Sequence, residues 1–437
     1  MSRTLSVNLS SPGLRLTFAL GLCLSLVPLP STQAQPQQAQ ATQAQDAPSR
    51  AGSAEAPETR VYYVAAEPVT WNYAPSGADQ IKGVRFDTST ARFPDPLGSD
   101  FARYPNVVEG DYLPGQPPEL DGIGPVYQKV LYRAYTDSTF TERKPRPPKW
   151  EHLGTLGPVL RAEVGDTIKV VFKNMADRPY SIHPDGVSST SFASLSTGSP
   201  SGGSLGGSSG TNRAGTGVPS GSTRTYTWPV PERAGPGPSD PSSVLWMYYS
   251  DVRMTEDMTT GLIGPMIITE RGMAGPSGTP TDVDREIVTM FSGSRENNSG
   301  LIRENIRRYV DMPVDSATAQ PAFEITNFME SINGYVYGNM PRPTIREGER
   351  VRWYVFSGSG KHTVHWHANT VLLRGRRTDM IDVGPMTKAV ADMVPDNPGT
   401  WLLHCHVDVH FKAGMSALYK VLPKEDAASE ESASAGL

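Results

Sequence analysis

Residues 401–415 have the sequence WLLHCHVDVHFKAGM, which places three histidines, a cysteine and a methionine within twelve positions of a chain that has eight histidines in all. Successive side chains of a β-strand point to opposite faces, so Cys405 is predicted to face one way and His404 and His406 the other. One strand of this sequence can therefore serve two metal sites.

The same stretch has a weaker counterpart earlier in the chain, where WMYYSDV (246–252) matches WLLHCHV (401–407). Three further pairs of segments follow in the same order: LRAEVGDTIKVVFKN (160–174) with PTIREGERVRWYVFSG (343–358), DRPYSIHPDG (177–186) with SGKHTVHWHA (359–368), and GLIGPMIITE (261–270) with GMSALYKVL (414–422). We interpret these pairs as a duplicated domain, with one copy at 59–272 and the other at 283–424. In the first copy Tyr180, Ser250 and Leu262 replace His, Cys and Met, and the Tyr and Leu are predicted to pack as core.

The chain as a whole favours an all-β fold. Short alternating runs such as TIKVVFKN, RTYTWPV and RVRWYVFSG are separated by Gly, Pro, Asn and Asp, while helical periodicity is scarce. We therefore predict two tandem β domains.

The soft ligands of the second copy form one set around its cysteine. This set supplies thiolate, two imidazoles and thioether from Cys405, His362, His410 and Met415. Two histidines, a cysteine and a weak methionine are the blue-copper pattern. Zinc is a rival for such ligands, but a closed structural zinc site usually has several thiolates.

The remaining histidines of the second copy form another set. His365 and His367 have the opposite strand parity to Cys405, so they are predicted to join His404 and His406 in an all-imidazole group that also suits copper. A single H-x-H pair would be weak, since it is more often surface than ligand. The combination of both sets around one cysteine is what favours copper.

Segments of biased composition are predicted to flank and interrupt the two domains. The N-terminus has Arg3, Arg15, a short apolar run and the sequence TQA, which is typical of a secretory signal at 1–34 and is short for a membrane span. A disordered leader at 35–58, a Gly- and Ser-rich loop at 194–222 and an acidic disordered tail at 425–437 follow. We expect an exported protein, periplasmic or extracellular, with no stable membrane anchor.

Removing the signal would leave Cys405 as the sole cysteine, so no intrachain disulfide could form. An unpaired cysteine between two histidines in an oxidising compartment indicates metal ligation. The formal net charge of −5 argues against nucleic acid as a partner.

At these residues the sequence resembles the multicopper oxidases, in particular their ceruloplasmin and hephaestin branch. HCHVDVHFKAGM resembles the C-terminal copper motif of that family and HTVHWHA its partner, and the likeness continues through YTDSTF, EHLGTLGP and SINGYVYGN. The resemblance implies two cupredoxin-like Greek-key β-sandwich or barrel domains. It also implies type 1 copper at His362, Cys405, His410 and Met415, type 2 copper at His365, and type 3 copper at His367, His404 and His406.

The sequence departs from the family at the trinuclear copper cluster, which takes eight histidines from two facing domains. The first domain here offers only His183, because Asp185, Tyr249 and Asp251 hold the other equivalent positions. Two-domain members of the family form trimers, so the resemblance also implies a homotrimer. Assembly of identical copies would not restore the missing ligands.

The residues that would receive a metal-ion reductant also differ from the family pattern. The acidic residue expected just before His410 is Val409, with Asp408 one place earlier. Glu324 and Glu330 are further candidates for binding Fe²⁺. The alternative for all three acids is a solvated surface.

Two functions of different classes are therefore open. The first is an exported copper oxidoreductase of ferroxidase or laccase type, which oxidises Fe²⁺, Cu⁺ or a small organic reductant one electron at a time and has O₂ as acceptor, with Cys405, His404 and His406 in the electron path. The second is a type 1 copper electron-transfer or copper-binding protein without oxidase turnover. Nitrite reduction is less favoured, because those enzymes keep type 1 copper in the first domain.

Overall fold

The computed structural model describes residues 56–86, 122–187, 217–319 and 321–424. The predicted signal, most of the leader, most of the Gly- and Ser-rich loop and the acidic tail lie outside these residues. No helix in the described ranges is both long enough and apolar enough to cross a membrane.

Strands dominate both halves of the described chain. The first half contains β1 (Thr59–Asn72), β2 (Ala78–Asp79), β3 (Val84–Arg85), β4 (Val126–Tyr135), β5 (Leu160–Glu163), β6 (Thr167–Asn174), β7 (His183–Pro184), β8 (Thr223–Pro229), β9 (Ser243–Tyr249) and β10 (Ile263–Thr269). The second half contains β11 (Arg285–Arg295), β12 (Phe328–Ile332), β13 (Thr344–Arg346), β14 (Val351–Ser359), β15 (His362–Trp366), β16 (Val371–Leu373), β17 (Arg376–Thr378), β18 (Met380–Val383), β19 (Lys388–Met393), β20 (Gly399–Cys405) and β21 (Ser416–Leu422). The prediction of a mainly β chain is confirmed.

The helices are short. They are α1 (Met254–Thr260), α2 (Ile302–Tyr309), α3 (Val314–Thr318), α4 (Pro321–Thr326) and α5 (Asp408–Lys412), with 3-10 turns at Pro148–Leu153, Glu232–Ala234 and Glu296–Asn298. Helices α2 to α4 lie between β11 and β12, where the sequence had given no helical signal. They form because Ile306, Ala317 and Phe323 bury their side chains against Tyr73 and Tyr127 of the first half.

The sheets repeat the same order of strands in both halves. The first half has sheets β4-β1-β6-β8 and β5-β10-β9-β7, and the second has sheets that begin β12-β11-β14-β19 and β13-β21-β20-β15. Strand β1 runs parallel to β6 as β11 runs parallel to β14, and β5 runs parallel to β10 as β13 runs parallel to β21. The duplication inferred from the sequence is confirmed by this topology, while the exact domain boundaries stay a prediction.

Each half has its own apolar core, and a third cluster joins them. Trp150, Leu245 and Ile267 from the first half pack there with Tyr354 and Phe356 from the second. Arg352, which is 1% exposed, donates hydrogen bonds to Ser242 and Ser243 across the same junction, each at 2.8 Å. Because Arg352 also bonds Asp392 at 2.7 Å and Asp282 at 3.1 Å, its buried charge is compensated.

Candidate metal centre

The Cys405 sulfur lies between two imidazoles. Its Sγ atom is 3.8 Å from Nδ1 of His362 and 3.6 Å from Nδ1 of His410, and those two nitrogens are 3.2 Å apart. The three donor atoms belong to a group that lies within 4.8 Å and can hold a metal ion. Cys405 and His362 are buried, so the donors are screened from bulk water.

Backbone pairing brings these donors together. Strand β15 pairs with β20 so that Val364 lies opposite Cys405, which places His362 beside the end of β20. After β20 the chain forms α5, which contains His410, and Met415 follows α5 directly before β21 begins. The Met415 N–H donates to the His410 carbonyl at 2.9 Å, and the Cys405 N–H donates to the Met415 carbonyl at 3.1 Å. Met415 is fully buried in the same core.

Hydrogen bonding and burial leave these imidazoles ready to act as ligands. The His362 Nε2–H donates to the Ser359 carbonyl at 2.6 Å, so its Nδ1 lone pair is directed to the cluster. Burial lowers the pKa of His362, and burial together with His362 lowers the pKa of His410 to about 4. Burial raises the pKa of the Cys405 thiol, so a metal ion that binds here has to displace its proton.

A second cluster lies on the other face of β20. Nε2 of His404 is 3.2 Å from Nδ1 of His365 and 3.0 Å from Nε2 of His367. His404 Nδ1–H donates to the Cys405 carbonyl at 2.8 Å, so the lone pair of its Nε2 is available to bind a metal ion. Burial, with smaller contributions from the neighbouring imidazoles, lowers the pKa of His404 to about 4.

The predicted separation of the two sets by strand parity is therefore confirmed. Three of the four predicted imidazoles, those of His365, His367 and His404, form a group that can hold a metal ion. The exposed His406 lies beside them, with its ring centroid 5.5 Å from that of His365 and 5.7 Å from that of His404.

Comparison with known proteins places this geometry in a family. The family model described as multicopper oxidase matches residues 311–425, a range that contains both clusters. Hephaestin from Rattus norvegicus is 38% identical over 376 residues, covering 84% of this chain and 29% of that protein. The ferroxidase HEPHL1 of Homo sapiens is 38% identical over 370 residues (83% and 29%), and ceruloplasmin of Homo sapiens is 38% identical over 372 residues (83% and 32%). Residues 311–425 match the multicopper oxidase family, and most of the chain is similar to hephaestin and ceruloplasmin.

The chain spans less than a third of the length of these relatives. A solved copper nitrite reductase from Nitrosomonas europaea superposes with a TM-score of 0.46 at 13% identity, covering 83% of this chain and 94% of that chain.

The first half of the chain has different groups at the equivalent positions. His183 Nδ1 lies 3.6 Å from an oxygen of Asp251, and Asp185 forms an ion pair with Lys388 at 3.1 Å. Tyr249 donates to Asp185 at 3.3 Å. His183 is in neither of the metal-ligand groups found among the described residues. Its role as a ligand stays a prediction.

Tyr180 and Leu262 lie in the first core and are fully buried, as predicted. Ser250, at the position equivalent to Cys405, accepts the Ser181 N–H at 3.1 Å and donates to Asp257 at 2.6 Å. Within the described residues the first copy has no metal-ligand group around Ser250.

The three acids predicted for a multicopper oxidase reductant site differ in exposure. Glu324 is exposed on α4, and the exposed Asp408 pairs with Lys412 at 2.9 Å, so both fit a solvated surface. Glu330 does not. Its Oε2 is buried without a hydrogen-bond partner in the described structure, and burial raises its pKa to about 7 against the opposing effect of Arg295.

Space for the Glu330 carboxylate comes from the residue opposite it. Gly293 pairs with Glu330 in the β11–β12 register, and a Cβ added at Gly293 would lie 2.8 Å from Glu330 Oε1. The sequence offered no signal for this pairing. None of the three acids belongs to a metal-ligand group in the described ranges, so their role in binding Fe²⁺ stays a prediction.

A cavity of about 250 Å³ lies beside the residues that immediately precede His362 of the Cys405 cluster. Ser359, whose carbonyl accepts the His362 hydrogen bond, forms part of its wall together with Gly360. Four methionines also line it: Met254, Met258, Met290 and Met386. This cavity could not be predicted from the sequence, because its walls come from both halves of the chain.

Proposed function

We propose that this chain is a copper-dependent oxidoreductase that takes electrons one at a time from a metal ion or a small organic reductant. The residues that would hold its type 1 copper are His362, Cys405, His410 and Met415. The observation that carries the proposal is the triangle of one sulfur and two nitrogens at 3.2, 3.6 and 3.8 Å.

That triangle fits a metal ion. With metal–nitrogen and metal–sulfur bonds of about 2.0 and 2.3 Å, as in zinc sites, ligands at tetrahedral angles lie roughly 3.3 Å apart for two nitrogens and roughly 3.6 Å apart for nitrogen and sulfur. The donor set of one thiolate, two neutral imidazoles and a buried thioether favours copper over harder ions. Copper bound there would supply a one-electron redox couple.

The chain's own residues would provide the route for the electron. The cavity wall at Ser359 is one hydrogen bond from His362, so a reductant in that cavity would be close to the copper ligands without touching them. Thioethers favour Cu⁺ among metal ions, which makes the methionine-lined cavity suited to Cu⁺ as well as to small organic donors. The direct peptide bond from Cys405 to His404 would link the first cluster to the second, since His404 also donates to the Cys405 carbonyl.

Transfer of electrons from this site to O₂ would need the second cluster to be completed by groups from outside the second half of the chain. Three imidazoles converge in the second cluster, and Asp185 in the first half is neutralised by Lys388 instead of facing a metal group. This observation favours the second candidate function, a type 1 copper electron-transfer or copper-binding protein without oxidase turnover. Export and a homotrimer also stay proposals.

Copper content, measured together with visible and EPR spectra and O₂ uptake, tests both candidates. We expect a blue protein with fewer than four coppers per chain and little O₂ uptake with Fe²⁺, Cu⁺ or phenolic donors. Four coppers per chain with rapid, azide-sensitive O₂ consumption would show that the cluster is completed by other groups. A colourless copper-loaded protein would refute the type 1 site itself.

A further inference from the structure

A cleft of about 740 Å³ lies between β4, the loop that follows it and β5. Its lining includes six cationic side chains and no carboxylate: Arg133, Arg143, Lys144, Arg146, Lys149 and Arg161. We call this cleft the basic cleft. The chain as a whole has a net charge of −5, so its composition does not explain this local excess of positive charge.

Two of the six cations are neutralised by neighbouring acids. Arg161 forms two hydrogen bonds with Glu286, at 2.9 and 2.8 Å, and Arg143 pairs with Glu67. The other four form no ion pair within the described chain: Arg133, Lys144, Arg146 and Lys149. The cleft thus carries positive charge that the protein itself does not compensate.

Two of these unpaired cations are partly buried guanidiniums. Arg146 is held in place by hydrogen bonds to the carbonyls of Gly154 at 3.0 Å and Leu156 at 2.6 Å. Arg133 has only a long contact of 3.5 Å to the Tyr132 carbonyl. Burial, together with the charge of Arg146, lowers the pKa of Arg133 to about 10. Withdrawing neighbouring like charges from water is unfavourable unless an anion compensates them.

We propose that the basic cleft binds a small organic anion through a carboxylate or phosphate group. The planar fork of a guanidinium matches both groups through paired hydrogen bonds. The volume lies within the range of about 300–1,000 Å³ found for small-molecule sites. Tyr62, Tyr132 and Trp150 line the same cleft and would contact a planar apolar part of the ligand.

The basic cleft is a separate site. None of the residues of the two histidine clusters lines it, so this proposal does not rest on the proposed copper function.

Phenyl phosphate, benzoate and benzyl alcohol are suitable probes, because they share a ring and differ in charge and in the anionic group. Each is titrated calorimetrically into the full copper-loaded chain at constant ionic strength of about 0.15 M, where long-range attraction is screened. We expect one anion per chain, with benzyl alcohol at least tenfold weaker than either anion. The ratio of the two anion affinities shows whether the cleft prefers phosphate or carboxylate.

Three variants locate the binding. Arg133→Met should weaken both anions at least tenfold without lowering the thermal midpoint of the ligand-free protein, since it removes an uncompensated charge. The double variant Lys144→Gln, Lys149→Gln should weaken them by a smaller factor. Lys169→Gln, an exposed lysine on β6 outside the cleft, removes the same charge and should leave the affinity unchanged within twofold.

The proposal is overturned if neither anion binds, if benzyl alcohol binds as well as the anions, or if Lys169→Gln weakens binding as much as Arg133→Met. Should Arg133→Met fail to fold, the double lysine variant decides: unchanged affinity there would equally overturn the proposal.

Discussion

Replacing Cys405 by serine tests the type 1 site most directly. The Cys405 Sγ is fully buried, 3.6–3.8 Å from two imidazole nitrogens. A serine hydroxyl has nearly the same shape and can donate to Nδ1 of His362 or His410, so the free energy of unfolding of the metal-free protein should fall by about 1 kcal/mol. The hydroxyl cannot supply the thiolate, so the blue charge-transfer absorption should disappear completely.

Metal-dependent stabilisation gives a second measure of the same change. Copper at about 100 times its dissociation constant stabilises a folded protein by about 2.7 kcal/mol, provided it does not bind the unfolded chain. Wild-type protein should show a gain of this order in chemical denaturation, and Cys405→Ser should lose most of it, because its site lacks the strongest donor.

Ser250→Ala is the matched control, because Ser250 occupies the equivalent position in the first copy. It removes the hydrogen bonds to Ser181 and Asp257, so the free energy of unfolding should fall by about 1–3 kcal/mol, while the blue absorption stays unchanged. A blue band that survives Cys405→Ser, or that is lost in a folded Ser250→Ala protein, would refute the ligand assignment.

Three other outcomes are expected. Met415→Leu should keep the blue colour and raise the reduction potential in voltammetry, because the oxidised copper loses a weak donor; a lowered potential would contradict this. His152 stays neutral in the folded protein, because burial lowers its pKa to about 4 and its Nε2 accepts the Val288 N–H at 3.3 Å. Unfolding below pH 6.5 therefore binds a proton at this residue. The free energy of unfolding of the copper-loaded protein should fall by about 3 kcal/mol from this residue between pH 6.5 and 4. His152→Gln should abolish that part of the loss in denaturation measured across this range, and an unaltered pH profile would contradict it. Lys129→Met should lower the free energy of unfolding, measured by chemical denaturation, by about 3–5 kcal/mol, because it leaves Glu296 buried without the ammonium group that lies 2.6 Å away. Adding Glu296→Gln should restore much of that free energy. If the two substitutions lowered it additively, the ion pair would not be the cause.

Strand periodicity explains why the two histidine sets could be predicted from the sequence. A period of two fixes which residues of β20 face each side, so Cys405 and His404 could be assigned to different clusters before any distance was known. His406 shows where this argument ends. Parity gives the correct face, and the His406 N–H still donates to the Thr363 carbonyl of β15 at 2.7 Å, but parity does not determine burial, and the ring stays exposed beside the group.

Features that depend on distant segments could not be predicted. The burial of Glu330 requires a glycine 37 positions earlier on the paired strand, as the register of Gly293 shows. The basic cleft depends on β5 packing beside the loop that follows β4, and local sequence does not determine that contact. Helices α2 to α4 are each too short for periodicity to reveal, and their stability comes from burying side chains against the first half of the chain.

The two copies show why losing a metal site is more than losing its ligands. Tyr180 and Leu262 fill their positions in the first core, and Ser250 is the hydrogen-bond donor to Asp257, a carboxyl whose pKa burial raises to about 6. Restoring cysteine at 250 would replace that hydroxyl by a weaker donor and leave the carboxyl mainly with the Arg253 N–H at 3.1 Å, a cost that a weakly bound metal would not offset. Among the residues that the structure describes, no acid bonds Cys405 in the second copy; its neighbours are His362 and His410, which burial keeps neutral. The same strand order thus supports a packed core in one half and a set of uncharged ligand side chains in the other. The difference is that Ser250, just after β9, bonds a buried acid, whereas Cys405, at the end of β20, lies between two imidazoles.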